Sequence, residues 1–374
     1  MPRPPSNRTT EAPLLKYKTR RKTKSTCIVR CCVISLITMT ILLLIAFVVI
    51  FVAIPLIFKY SVELQRDLIF PIHELYPENA DFNNFTKYDV YGGRNLYVPV
   101  NESHNITLGV WHLLPLALVN SSTQEIEFNY TEALEGPDYP VVLHFHGNGG
   151  NRINGVEIYS VLREFFHVIA FDYRCYGDSS CGELIEDCLI SDAVALYRWL
   201  MARTTADIYI WGHSLGSAVG THAVAELKKE NITPAGLFLE APFTTLRDEV
   251  KYVQTLFWFT RAFLWLPWYE TTLVDPFEEH GWRFNTVEHL QSVDCPVMIF
   301  HSEDDSVIPI RFGRELHETA TAVRNHTYQG EVSFQAVPAL GFDHWQIYAY
   351  DKLPSCIVSH IDVCRVFKEE RINV

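Results

Sequence analysis

"IYIWGHSLGSAVG", Ile208 to Gly220, runs from an apolar segment suited to a buried strand into a small-residue segment suited to a helix, with Gly212, His213, Ser214, Leu215 and Gly216 between them. That order of strand, sharp turn and helix is what a G-x-S-x-G elbow requires. Glycines on both flanks tolerate the crowding that exposes the serine hydroxyl at the head of the helix. The alternative is an ordinary glycine turn with a capping serine. Short patterns with free positions arise by chance, so the surroundings decide.

On both sides of the elbow the chain alternates. "VVLHFH" (141–146), "HVIAFD" (167–172), "DIYIWG" (207–212), "GLFLEA" (236–241) and "PVMIFH" (296–301) are short, nearly continuous apolar runs of the kind found in buried parallel strands. Helical patterns lie between them, such as Ala193, Leu196, Tyr197 and Leu200, with Ser191 and Asp192 placed to cap. The expected architecture is therefore α/β, a mostly parallel sheet with helices on both faces. Earlier, "NLYVPV" and "ITLGVWHLL" alternate like antiparallel strands.

One region breaks the alternation, and a cap insertion is expected there at about 243–292. It contains "YVQTLFWFTRAFLWLPWY", Tyr252 to Tyr269, in which Arg261 is the one charge among eight aromatics. These rings suit helices packed on the core, and they also suit an acyl-chain tunnel or a surface at a membrane interface.

A serine hydroxyl is a poor nucleophile without a base, and the oxyanion it generates needs backbone donors. "HFHGNGGN" (144–151) places glycines after a strand so that a loop passes close to the elbow, which makes the N–H groups of Asn148 and Leu215 the candidate donors. No P-loop lysine follows those glycines. Downstream, "PVMIFHSEDDSVIP" supplies an acid at a strand end, and "VPALGFDHWQIY" supplies His344 after the last strand, "VSFQAV". The chain order of serine, acid and histidine is the one this architecture uses. His301, His289 and His317 read as structural. No cysteine or histidine spacing resembles a zinc site, and no metal or cofactor is expected.

The remainder of the chain concerns location. Cys31 to Phe58 is free of charge, and a helix of that length crosses a hydrocarbon core of about 30 Å. A cleaved signal peptide fits poorly, because the apolar run is too long and no small-residue cleavage site follows. Residues 1–58 hold nine Lys or Arg and one Glu, a formal +8; taking +8 from the chain's −13 leaves −21 on residues 59–374. Arg20, Arg21, Lys22, Lys24 and Arg30 crowd the N-terminal flank, so residues 1–30 are expected to be a cytosolic tail, 31–58 a transmembrane helix, and 59–374 luminal or extracellular. Sequons at Asn84, Asn101, Asn105, Asn120, Asn129, Asn231 and Asn325 fit glycosylation on that side. Endoplasmic reticulum and cell surface remain open, since "RINV" is not a retention signal. Cys27, Cys31 and Cys32 suit packing or S-palmitoylation. Among the six later cysteines a bridge within Cys175, Cys181 and Cys188 is expected, and another between Cys356 and Cys364. The acidic charge of the later part disfavours nucleic acid.

The run "HFHGNGGNR … VIAFDYRCYGDS … GHSLGSAVG … APFT … HSEDDSVIP … GFDHWQIY" resembles the α/β-hydrolase-domain protein twelve group over roughly Tyr88 to Phe367. That group consists of membrane-anchored serine hydrolases acting on lysophosphatidylserine and monoacylglycerols. The resemblance implies an α/β-hydrolase fold and a catalytic triad of Ser214, Asp305 and His344. It selects Asp305 over Asp304, because the group's acid stands four residues after the histidine of H-x-x-x-D-x-x-[VI]-P. Cys175 departs from the pattern, standing where a D-Y-R-G-x-G glycine is usual, and a disulfide would offset that loss. The expected partners are a membrane lipid substrate and the bilayer. A protein depalmitoylase, a peptidase of similar fold and a non-catalytic adhesion ectodomain are the alternatives. Arg152 and Arg174 are candidates by position for a phosphoserine headgroup.

Overall fold

The computed structural model describes residues 1, 14–72, 77, 80–101, 103, 105–124, 128–256 and 258–372. The chain divides into Met1–Tyr60 and Ser61–Val374. In the first unit, helix α1 (Leu14–Val48) passes through a wider π turn (Val49–Ala53) into α2 (Ile54–Tyr60). The helix continues through Pro55 to Tyr60, two residues past the expected end at Phe58. A proline lacks the N–H that would close the preceding turn, and its ring crowds that turn. One turn of wider pitch accommodates both defects. From Thr26 to Tyr60 the helix is long and apolar enough to cross a membrane, and side chains such as Leu42, Leu43 and Leu44 point outward unburied.

The second unit is built on one eight-stranded sheet in the order β1-β2-β4-β3-β5-β6-β7-β8. Its strands are β1 (Gly93–Asn101), β2 (Ile106–Leu113), β3 (Val141–Phe145), β4 (His167–Phe171), β5 (Ile208–His213), β6 (Gly236–Glu240), β7 (Val297–Ser302) and β8 (Val332–Val337). β1 and β2 pair antiparallel, and β2 joins β4 antiparallel, while the pairs from β4 through β8 are parallel. Parallel strands must be buried on both faces, and β3, β4, β5 and β6 are apolar runs for that reason. Trp211, Phe238 and Phe300 occupy neighbouring strands, with ring centroids 4.9 Å and 5.6 Å from Trp211 to the other two. Burying each such side chain stabilises the sheet by about 1.5–3 kcal/mol.

The helices that matter for the site are α3 (Val62–Ile69), α4 (Glu186–Met201), α5 (Leu215–Lys229), α6 (Leu246–Leu256) and α7 (Thr286–Ser292). α4 starts five residues earlier than Ser191 and has Ile185 at its N-cap without a side-chain cap. Ser191 and Asp192 therefore lie inside the helix. Asp192 is buried and held instead by Arg174, at 2.7 and 2.6 Å. Between β6 and β7 stand α6, α7 and the short helices Trp258–Arg261, Tyr269–Leu273 and Asp275–Glu279. α3 opens on Ser61, whose Oγ accepts from the Leu64 N–H.

Candidate active site

At the end of β5 the chain turns so tightly that Ser214 takes φ 54° and ψ −119°, a left-handed conformation costing about 1–3 kcal/mol in a residue with a side chain. The neighbours explain how it persists. A Cβ on Gly212 would collide with the Gly216 carbonyl, and one on Gly216 would collide with the Phe145 carbonyl at the end of β3. The Ser214 N–H donates to the Glu240 carbonyl at 2.9 Å, and the buried Ser217 hydroxyl donates to the Gly212 carbonyl at 2.7 Å. Leu215 is the first residue of α5, where a backbone N–H has no partner within the helix.

Asp305 and His344 come from loops after β7 and β8. His344 Nδ1 lies 2.8 Å from Asp305 Oδ2, and both side chains are buried. Asp305 Oδ1 accepts the N–H groups of Val307 and Ile308 at 2.9 and 2.7 Å. Burial alone would raise this carboxyl. The hydrogen bonds from His301 and His344, the His344 charge and the Ile308 N–H reverse that and hold it far below the usual carboxylate range. The carboxylate thus stays ionised beside the imidazole. His344 Nε2 is buried and carries no hydrogen bond, so the bond to the Ser214 hydroxyl that a nucleophile and its base would share is not made. Apo sites commonly close this bond only around substrate.

Asp304 does a different job. It accepts from the Ser302 hydroxyl and from the N–H groups of Gly341 and Asp343, and so braces the loop that carries His344. His301 was expected to be structural only. Its Nε2 lies 3.4 Å from Asp305 Oδ2 and 2.7 Å from the Ile308 carbonyl, so it helps to fix the acid. The H-x-x-x-D spacing was the signal available for it.

Ser214, Leu215, Asn148 and His344 share one cavity of about 380 Å³. Leu246, Val250 and Val253 of α6, Leu68 and Ile69 of α3, and Phe277 give it mostly apolar walls. The described rings between Tyr252 and Tyr269 do not line it. Tyr252 packs instead on Phe312, Tyr269 is buried, and Trp265 is 61% exposed. Aliphatic side chains of α6 form the tunnel wall that the aromatic content suggested. Phe257, Trp258 and Phe259 have side chains outside the described residues. The Asn148 side chain donates to the Ile69 carbonyl and accepts from the Tyr176 hydroxyl at 2.9 Å, which fixes its loop against α3.

Cys175 takes φ 67°, the left-handed conformation that a glycine adopts without cost, and is bonded to Cys181. Cys356 and Cys364 are free, contrary to the expected bridge. They lie eight residues apart on one helix, Leu353–Ile372, where the rise of about 1.5 Å per residue holds them too far apart. The two candidate headgroup arginines are occupied. Arg152 is buried against Asp172, Asp178 and Asn95, and Arg174 against Asp192 and the Glu183 carbonyl. Neither faces the cavity.

Glu186, His222 and His289 place one ligand-type atom each within 4.8 Å of one another. The His222 and His289 rings are stacked, 3.6 Å apart at 12°. A metal bonded to imidazole lies in the plane of the ring at about 2 Å, and stacked rings offer no such shared point. Of the seven sequon asparagines, Asn101 is half-buried and the others are exposed.

The chain matches the alpha/beta hydrolase family over residues 141–345. It is 33% identical over 315 residues to lysophosphatidylserine lipase ABHD12 of Danio rerio, covering 82% of this chain and 80% of that protein. With protein ABHD12B of Homo sapiens it shares 30% identity over 256 residues, 67% of each. Among solved structures, an alpha-beta hydrolase from Vibrio vulnificus superposes with a TM-score of 0.55 at 14% identity, over 80% of this chain and 94% of that one. An esterase of Pyrococcus furiosus gives 0.51 at 19% identity, over 76% and 94%. These two share the fold.

Proposed function

Since the chain belongs to the alpha/beta hydrolase family, in the group that contains the lysophosphatidylserine lipases named ABHD12, we propose that it cleaves the acyl ester of monoacyl lipids such as lysophosphatidylserine and monoacylglycerol through an acyl-Ser214 intermediate. The observation that carries this reading is the mostly apolar cavity of about 380 Å³ that Ser214 and His344 both line, which gives an acyl chain room beside a nucleophile and its base.

In the proposed reaction His344 Nε2 takes the Ser214 proton as Oγ bonds to the acyl carbon. Asp305 stabilises the resulting imidazolium and fixes its tautomer. The N–H groups of Leu215 and Asn148 receive the oxyanion. When the tetrahedral intermediate collapses, the bond to the glycerol oxygen breaks and His344 returns the proton to that leaving alcohol. Water, deprotonated by the same imidazole, then releases the fatty acid and restores the serine.

The anchored orientation in this reading places the N-terminus in the cytosol and residues 59–374 in the lumen of the endoplasmic reticulum or outside the cell. The basic residues before the apolar helix, the exposed sequon asparagines and the Cys175–Cys181 bond support it. The test is labelling of membranes with a fluorophosphonate probe. Labelling is expected in the wild-type protein and not in Ser214→Ala, and an unchanged label in that variant would remove Ser214 from its role. Glycosidase treatment should increase gel mobility, and an unshifted band overturns the orientation.

A further inference from the structure

α6 is an amphipathic helix with two polar residues on its apolar face, Gln254, whose Oε1 accepts from the Tyr269 hydroxyl, and Glu249. Leu246, Val250 and Val253 line the cavity at helical spacing, and Glu249 lines it among them. The helix does not need that carboxyl. Its first turn is closed by the adjacent Asp248, which accepts from the Thr245 hydroxyl at 2.7 Å while its own N–H donates back to Thr245 Oγ at 3.0 Å. Glu249 Oε2 is fully buried and has no hydrogen-bond partner. Leaving such an atom unpaired is costly, so a group with no structural partner in the wall of the cavity that holds Ser214 points to a ligand.

The environment narrows the ligand's chemistry. Burial first, and the Asp305 charge second, push the Glu249 carboxyl up to about 8, so it is mostly a neutral acid at neutral pH. A neutral acid does not select an ammonium group. No arginine or lysine lines the cavity among the described residues to balance a buried phosphate. What a neutral carboxyl matches is a neutral hydroxyl, to which it donates one hydrogen bond and from which it accepts another. A monoacyl glycerol lipid carries such a hydroxyl next to the ester, whereas a diacyl lipid carries a second ester there.

We propose that Glu249 is a specificity-determining residue that hydrogen-bonds the free backbone hydroxyl adjacent to the scissile ester, so that the site favours monoacyl over diacyl lipids. The inference rests on the monoacyl-lipid reading above and adds to it the residue that recognises the missing chain. A substrate without that hydroxyl leaves the carboxyl unpaired in the complex, and sites built around a hydroxyl discriminate on that ground.

The test compares two substrates on the full-length protein in detergent: a 1-monoacylglycerol and the 1,3-propanediol monoester of the same acid, which lacks the 2-hydroxyl. The readout is the ratio of their kcat/KM values, in which the amount of folded enzyme cancels. Wild type is expected to prefer the glycerol ester by about tenfold or more. Glu249→Leu should bring the ratio close to one, and Glu249→Gln, whose amide donates and accepts, should retain most of the preference. A wild-type ratio near one overturns the proposal without any variant having to fold, and so does a Glu249→Leu enzyme that keeps the preference. If the protein hydrolyses a p-nitrophenyl ester of the same acid but neither lipid, the monoacyl-lipid reading itself has failed and this inference falls with it.

Discussion

Among the described residues two carboxylate–histidine clusters are built alike and put to different use. Asp305 accepts two backbone N–H groups on one oxygen and His344 on the other. Glu186 accepts the N–H groups of Arg283 and Phe284 on one oxygen, at 2.8 and 2.7 Å, and His222 at 2.9 Å on the other. In both, burial would raise the carboxyl and the accepted hydrogen bonds reverse it. The difference lies on the far side of the imidazole. His344 Nε2 has no partner, and the residue lines a cavity. The His222 ring is covered by His289, and its Nε2 lies 3.5 Å from Glu226. An oriented, charge-stabilised histidine is a common structural clasp, and it becomes a base only where its second nitrogen opens onto a space that a substrate can enter.

The comparison breaks first at Asp305. Asp305→Asn should lower kcat by about 10³–10⁴-fold, because the amide no longer stabilises the imidazolium or selects its tautomer, while Asp304→Asn should fall by less than about tenfold. Stopped assays on matched amounts of probe-labelled protein check this, and equal losses in the two variants would mean that the carboxylates share the role.

The smaller effect is at the other cluster. Glu186→Gln should leave kcat/KM per labelled enzyme near wild type and lower stability by about 1–2 kcal/mol at pH 7, read as a drop of several degrees in melting temperature. The sign of its pH dependence follows from the lowered carboxyl of Glu186. The unfolded chain takes up the proton first as pH falls, so the ionised glutamate stabilises the fold above about pH 4.5 and that contribution disappears below it. The melting temperatures of the two proteins should therefore converge in acid. A gap that stays constant down to pH 3.5 would show that shape, not charge, holds the Arg283–Phe284 turn.

What the chain announces in advance is whatever depends on local order. The five parallel strands read from apolar runs and the elbow at Ser214 follow from residues close together, each strand run has its strand, and the serine, acid, histidine order needs only short motifs read one after another along the chain. Partner choice across the fold is less legible. Arg152 looked available for a headgroup because the acid that holds it, Asp172, lies twenty residues away just past another strand. Glu249 is inconspicuous in a surface-like sequence until the fold brings Asp305, fifty-six residues on, near enough for its charge to act on that carboxyl. Asp192 looked like a cap because capping is a local pattern, and Arg174 outcompeted it. His301 escaped because a histidine at a strand end usually packs and nothing more.

The α3 segment sets a practical limit on dissecting this protein. Leu68 and Ile69 form part of the wall around Ser214, the Ile69 carbonyl holds the Asn148 side chain, and Gln65 pairs with His280 at 2.7 Å. Anyone removing the apolar helix to obtain a water-soluble enzyme should cut between Tyr60 and Ser61, because a start chosen at the first strand would discard a piece of the wall around Ser214 along with the helix.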